Sequence, residues 1–185
     1  VSKIPAIFID RDGTLNEEVD HLHRPEEAVL TRGAGRAISS LNAQKIPVFI
    51  ITNQAGIGKG KFGWEDYEAV MHRLGELLAL HGAHLDDAYV CPFHPEAHDE
   101  YRHEDHPERK PNPGMILKAA EEHGIDLSKS WMIGDKHIDL AAGRNAGCRV
   151  ALVRTGYGSK VDPALADLVA EDLAEAIDRI LATWP

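Results

Sequence analysis

Four short clusters in this sequence set carboxylates beside hydroxyl, amide and ammonium groups: Asp10-Arg11-Asp12-Gly13-Thr14, Thr52-Asn53-Gln54, Arg109-Lys110-Pro111, and Gly134-Asp135-Lys136 with Asp139 beyond. Together they hold the parts that phosphate monoester hydrolysis requires. That reaction is extremely slow unaided and needs an attacking group, an acid for the leaving oxygen and positive charge around the transferring phosphoryl group. Asp10, as a carboxylate nucleophile, splits one hard displacement into two easier ones through an acyl phosphate. Asp12, two residues on, falls on the same side of an extended backbone. From there it can protonate the leaving alkoxide and later take a proton from the attacking water. Thr52 and Asn53 offer hydrogen bonds to phosphoryl oxygens, and Lys110 adds positive charge where the transition state concentrates negative charge. Asp10 and Asp135 with a backbone carbonyl form an oxygen-rich set of the kind magnesium prefers. Gly13 permits a sharp turn after Asp12. Taken singly, each cluster has a plainer use: Asp-x-Asp and Thr-Asn serve turns and helix caps, Asp135 suits a helix N-terminus, and a lone lysine suits the solvated surface.

The elements around the clusters turn these plain uses into a joint one. Apolar runs rich in isoleucine and valine at Ile4–Ile9, Ile46–Ile51, Ala88–Val90, Trp131–Ile133 and Arg149–Val153 predict buried strands. Segments of helical period at Gly35–Gln44, Trp64–His81, Pro113–His123, Asp139–Ala146 and Leu173–Ala182 alternate with them. The alternation predicts an α/β fold, a doubly wound parallel sheet with helices on both faces and the first strand near its centre. Reacting groups in such sheets gather outside the carboxyl ends of the strands, where the clusters lie. No segment between the clusters is long enough for a large cap domain. The irregular stretches at 13–27, 55–63 and 92–111 are therefore expected to shape selectivity.

At 185 residues the chain is expected to form a single domain over 1–185. A formal net charge of -10 argues against nucleic acid or an anionic membrane as partner. The only two cysteines, Cys91 and Cys148, lie far apart and do not predict a disulfide framework. The N-terminal apolar stretch is too short for a signal-peptide core and no run approaches membrane-spanning length, so a cytoplasmic monomer is expected. The Gly56-to-Lys61 stretch lacks Walker spacing and reads as a specificity loop. Lys59 and Lys61 are candidates either for a distal phosphate or for the solvated surface. The apolar positions of the 64–81 segment read as core packing, and the acidic run from Glu171 to Asp178 as a solvated helix face.

The stretches "IFIDRDGT", "ITNQ", "RKPNPGM" and "MIGDKHID", in that order, resemble the signature motifs of the haloacid dehalogenase superfamily of phosphohydrolases over nearly the whole chain. The resemblance implies Asp10 as nucleophile, Asp12 as acid/base and Thr52 and Lys110 as phosphoryl stabilisers. It also implies magnesium held by Asp10, the main-chain oxygen of Asp12, and Asp135. Within the superfamily, "DRDGTLN", "TNQAGIGKGKF", "CPFHP" and "RKPNPGM" are similar to the branch that acts on heptose bisphosphates in bacterial lipopolysaccharide-core synthesis; histidinol-phosphatases are the neighbouring branch. That implies removal of the C7 phosphate of D-glycero-D-manno-heptose 1,7-bisphosphate, a small phosphorylated sugar. Histidinol phosphate or another small ester is the alternative substrate. A non-catalytic phosphate-binding protein on the same scaffold is the alternative of another class. Substrate contacts are expected from Arg109 and Lys136, from Glu18, Val19, Asp20 and His21, and from Arg11, Asn53, Gln54 and Ala55. Members of this branch often bind a structural zinc through Cys-x-His and Cys-x-Cys in the loop before Arg-Lys-Pro, a set suited to the metal. Here Phe93, His106 and Glu108 stand where three of those ligands would be. A rebuilt zinc set of Cys91, His94, His103 and His106 is conceivable, but structural zinc is not expected. Hydrogen bonds, proline stiffness and packing of Phe93 and Tyr101 are expected to hold the loop instead.

Overall fold

The computed structural model describes residues 2–184. Six parallel strands form one sheet in the order β3-β2-β1-β4-β5-β6: β1 (Ile7–Ile9), β2 (Val48–Asn53), β3 (Asp87–Cys91), β4 (Trp131–Gly134), β5 (Arg149–Val153) and β6 (Leu168–Ala170). Six helices lie between or after them: α1 (Ala34–Ala43), α2 (Ala55–Gly58), α3 (Trp64–Ala79), α4 (Gly114–His123), α5 (His137–Ala146) and α6 (Leu173–Leu181). The doubly wound sheet with a central first strand is therefore observed. Two short elements, α2 and β6, were not foreseen. The four residues of α2 are too few to show a helical period, and the three residues of β6 are too few to show an alternation.

Alternate residues of each strand feed two separate cores, because successive side chains in a strand point to opposite faces. Ile7, Ile9, Val48, Ile50, Ile133, Ala151 and Val153 pack with α1, α3 and α6. Phe8, Phe49, Ile51, Met132, Val150 and Leu152 pack with α4 and α5. Phe8 and Phe49 stack at 5.5 Å between centroids on the second face. Burial on both faces leaves the strand ends as the places where polar side chains can emerge. Among the described residues, no helix is long and apolar enough to cross a membrane.

Strand order reverses direction at β1, since the chain winds outward to β2 and β3 on one side and to β4, β5 and β6 on the other. A crevice opens at such a switch point. Asp10 follows β1 directly, and its N–H donates to the carbonyl of Ile133 in β4 (3.0 Å).

Candidate active site

Lys110 organises the centre. Its ammonium donates to Asp10 Oδ1 (2.7 Å), to Asp139 Oδ1 (2.7 Å) and to the carbonyl of Ile51 (2.8 Å), so the end of β1, the first turn of α5, strand β2 and the 92–111 loop meet at one nitrogen. Burial opposes its charge, but Asp10 and Asp139 outweigh it and hold the ammonium's pKa above the ordinary lysine value. The second oxygen of Asp139 accepts from the Lys136 N–H (3.0 Å), which ties it to the start of α5. Asp139 was assigned no role in the sequence beyond its cluster. Its place one helical turn after Asp135 was the available signal.

Asp10, Asp135 and Asp139 are all buried and bring carboxylate oxygens within 4.8 Å of one another. Burial, followed by the charges of Asp10 and Asp139, pushes the Asp135 carboxyl up to about 8. Thr14 Oγ1 (3.4 Å) and the Tyr157 N–H (2.8 Å) donate to Asp135. Gly13 (φ +84°) and Gly156 (φ +56°) pass so close to it that a Cβ on either would run into the carboxylate. Three buried carboxylates facing one ammonium leave an excess of negative charge that a hard divalent cation fits. Asp139 is held directly by the Lys110 ammonium and the Lys136 N–H, whereas Asp135 accepts only from neutral donors, a hydroxyl at 3.4 Å and one backbone N–H, so Asp135 together with the free oxygen of Asp10 is the better disposed ligand pair.

A cavity of about 340 Å³ lies over this centre, lined by Asp12, Glu18, Val19, Asp20, His21, Asn53, Gln54, Ala55, Gly56, Arg109, Lys136, Ile138 and Tyr157. Asp10, Thr52, Lys110 and Asp135 are buried and are not among its lining residues. Gln54 links the two layers: its side-chain N–H donates to Asp12 Oδ2 (2.9 Å) and to Thr52 Oγ1 (2.8 Å). Asp12 also accepts from Arg11 (3.0 Å) and Asn16 (3.0 Å). Burial raises its pKa, but Arg11, Asn16 and Gln54 together hold the carboxyl below the usual range. Lys136 lies 3.6 Å from Glu18, an ion pair across the cavity wall, and burial raises the Glu18 carboxyl. Arg109 is half-buried, donates to the carbonyl of Phe93 (3.2 Å) and forms no ion pair among the described residues.

One sequence expectation needs correction, and a second gains a further role. The Arg11 side chain does not face substrate: it is wholly buried, pairs with Asp12 and lies 5.7 Å from the Tyr67 ring centroid. It points away because the backbone turns immediately after Asp10, and the apolar floor of α3 receives its stem. Asn53 lines the cavity, but its amide is engaged with the Lys110 backbone, donating to the carbonyl (3.1 Å) and accepting from the N–H (3.1 Å). That uses one of its two amide N–H donors and leaves the other for the expected phosphoryl oxygen. Tyr157 and Ile138 were missed as lining residues. The Arg154-Thr155-Gly156 stretch directly before Tyr157 was the signal for the first.

Cys91, His94, His103 and His106 do not converge. The two gathered groups of possible ligands among the described residues are the Asp10 set and an exposed Asp87, Glu122 and His123. His94, His103 and His106 each accept instead from a backbone N–H two residues on, at Glu96, Asp105 and Glu108. Phe93 stacks on His106 at 3.7 Å with the rings nearly parallel and meets Tyr101 edge-on at 5.9 Å. Lys59 pairs with Glu96 (3.1 Å), and Lys61 Nζ lies 2.7 Å from His21 Nε2 on the cavity lip.

The HAD-hydrolase-like family profile matches residues 108–176. A D-glycero-D-manno-heptose-1,7-bisphosphate 7-phosphatase of Thermosynechococcus vestitus is 41% identical over 186 residues, covering 95% of this chain and 95% of that protein. The chain belongs to the heptose-1,7-bisphosphate 7-phosphatase family. The D-glycero-beta-D-manno-heptose-1,7-bisphosphate 7-phosphatase of Escherichia coli strain K12 is 37% identical, with 98% of this chain and 92% of that one covered. A crystal structure of the D,D-heptose 1,7-bisphosphate phosphatase from B. bronchiseptica, complexed with magnesium and phosphate, superposes with a TM-score of 0.87. It is 31% identical and covers 97% of this chain and 99% of that chain.

Proposed function

We propose that this protein is a magnesium-dependent phosphoric monoester hydrolase that removes the C7 phosphate of D-glycero-D-manno-heptose 1,7-bisphosphate through an aspartyl-phosphate on Asp10. The observation that carries the reading is the Lys110 ammonium lying 2.7 Å from both Asp10 and Asp139 behind a cavity lined by Asp12. Asp10 and Asp135, with the main-chain oxygen of Asp12, are the proposed magnesium ligands. When bound, the metal supplies charge neutralisation between the carboxylates and the phosphate.

In the first step an Asp10 oxygen bonds to phosphorus while the bond from phosphorus to the C7 oxygen breaks. Asp12 gives its proton to the departing alkoxide. Arg11, Asn16 and Gln54 favour ionised Asp12, and the approach of a phosphate dianion opposes that by like-charge repulsion, poising the group for both halves of the reaction. In the second step Asp12 accepts a proton from water as its oxygen attacks phosphorus, and the bond to Asp10 breaks to release inorganic phosphate. Lys110 and Thr52 stabilise the phosphoryl oxygens in both steps. Glu18, Val19, Asp20, His21, Gln54, Ala55, Arg109 and Lys136 form the proposed sugar-facing wall, with a cytoplasmic monomer as the working form.

A substrate panel with added magnesium tests this. The heptose bisphosphate should give a far higher kcat/KM than histidinol phosphate, and Asp10→Asn should lower kcat by about 10,000-fold or more. Equal turnover of the two substrates would remove the sugar assignment, and an active Asp10→Asn variant would remove the mechanism.

A further inference from the structure

Tyr157 belongs to two cavities at once. On one side it lines the catalytic cleft, and on the other a second, open hollow of about 340 Å³ lined by Lys136, His137, Ile138, Tyr157, Lys160 and Val161. Lys136, Ile138 and Tyr157 are common to both, so the two hollows adjoin along one wall. Their charge differs. The catalytic cleft carries Asp12, Glu18 and Asp20, whereas no carboxylate lines the second cavity. Two ammonium groups crowd one aromatic ring there, Lys136 at 5.0 Å and Lys160 at 5.8 Å from the Tyr157 centroid. Lys160 is exposed and forms no ion pair among the described residues. In a chain of net charge -10, a cavity lined by two lysines and no carboxylate is a local exception to the surface potential. It suits an anion carried on a body with carbon–hydrogen faces.

We propose that Tyr157 and Lys160 form a subsite for the second phosphate of a sugar bisphosphate, so that its far end leaves the catalytic cleft across the Tyr157 ring while the phosphate at C7 meets Asp10. The proposal rests on the bisphosphate reading above and adds to it the residues that tell a bisphosphate from a monophosphate. Lys136 already has Glu18 at 3.6 Å and charges near the metal site to balance, which leaves Lys160 as the cation whose partner is still to arrive. Tyr157 contributes an exposed aromatic face on a backbone anchored at the reacting centre, because its main-chain N–H donates to Asp135 (2.8 Å). The subsite thus adjoins the reacting centre through one residue.

The test compares heptose 1,7-bisphosphate with heptose 7-phosphate at low ionic strength. Lys160→Ala should lower the ratio of the two kcat/KM values about five- to tenfold, Lys160→Glu should lower it further, and Lys160→Arg should largely retain it. Calorimetric binding of heptose 1-phosphate, which requires no turnover, should weaken in the same order. The wild-type ratio should fall as salt is added, because the contact is near the surface. An unchanged ratio in Lys160→Glu, or a ratio lost only in Arg109→Ala, would overturn the subsite. A wild-type enzyme with no preference for the bisphosphate would instead overturn the substrate reading itself.

Discussion

Asn53 shows how the meaning of a residue depends on what stands opposite it. Its amide closes a reciprocal pair of hydrogen bonds with the Lys110 backbone, 57 positions away, and so sets where the lysine segment enters the site. Asn53→Ala is expected to lower kcat by about 10- to 100-fold through misplacement of Lys110 while KM changes little. A residue that bound the phosphate directly would raise KM instead, so steady-state kinetics separates the two roles. Arg11 makes a related point. A guanidinium beside the nucleophile looks like a phosphate ligand in sequence, yet it is buried behind Asp12 and fixes that carboxylate.

At the scale of elements, the loop from Pro92 to Pro111 carries Arg109 and Lys110 and must hold its shape. Its ordering comes from the Phe93–His106 stack, the edge contact to Tyr101 and the histidine-to-backbone hydrogen bonds. Arg109 is anchored to the carbonyl of Phe93 itself, so ring packing and substrate wall are one unit. Phe93→Ala should cost about 2 kcal/mol, read as a melting temperature lower by about 4 to 8 °C, and should raise KM as the loop backbone that offers Arg109 the residue-93 carbonyl loosens. A normal KM in a destabilised variant would show that the stack serves stability alone.

For the whole molecule, the buried carboxylates couple stability to pH and metal. Burial and the charges of Asp10 and Asp139 raise Asp135 to about 8, and Asp139 is raised in the same direction, first by burial. At these two carboxyls the folded, metal-free chain therefore binds more protons than the unfolded chain from about pH 4 up to about pH 8, and their contribution to stability falls as pH rises through that window. Magnesium relieves this repulsion only where the carboxylates are ionised. The rise in melting temperature on adding magnesium to chelator-treated protein should be larger at pH 8 than at pH 5.5. Equal shifts at the two pH values would contradict the assignment of the ion to these carboxylates.

What the amino-acid order determines alone is local: the apolar runs that must be buried, the helical periods between them, and the polar clusters that fall at the ends of the runs. These fix an alternating α/β architecture and mark Asp10, Asp12, Lys110 and Asp135 for the chemistry, because strand ends in such a sheet converge. Only the tertiary structure decided which neighbour each side chain found. The Asp139–Lys110 pair, the capture of Asn53 by Lys110, the inward Arg11 and the Tyr157 wall all depend on contacts between distant segments or on the direction of a turn. A side chain's partner is set by distance in space, and spacing along the chain records that distance only within a helix or a strand.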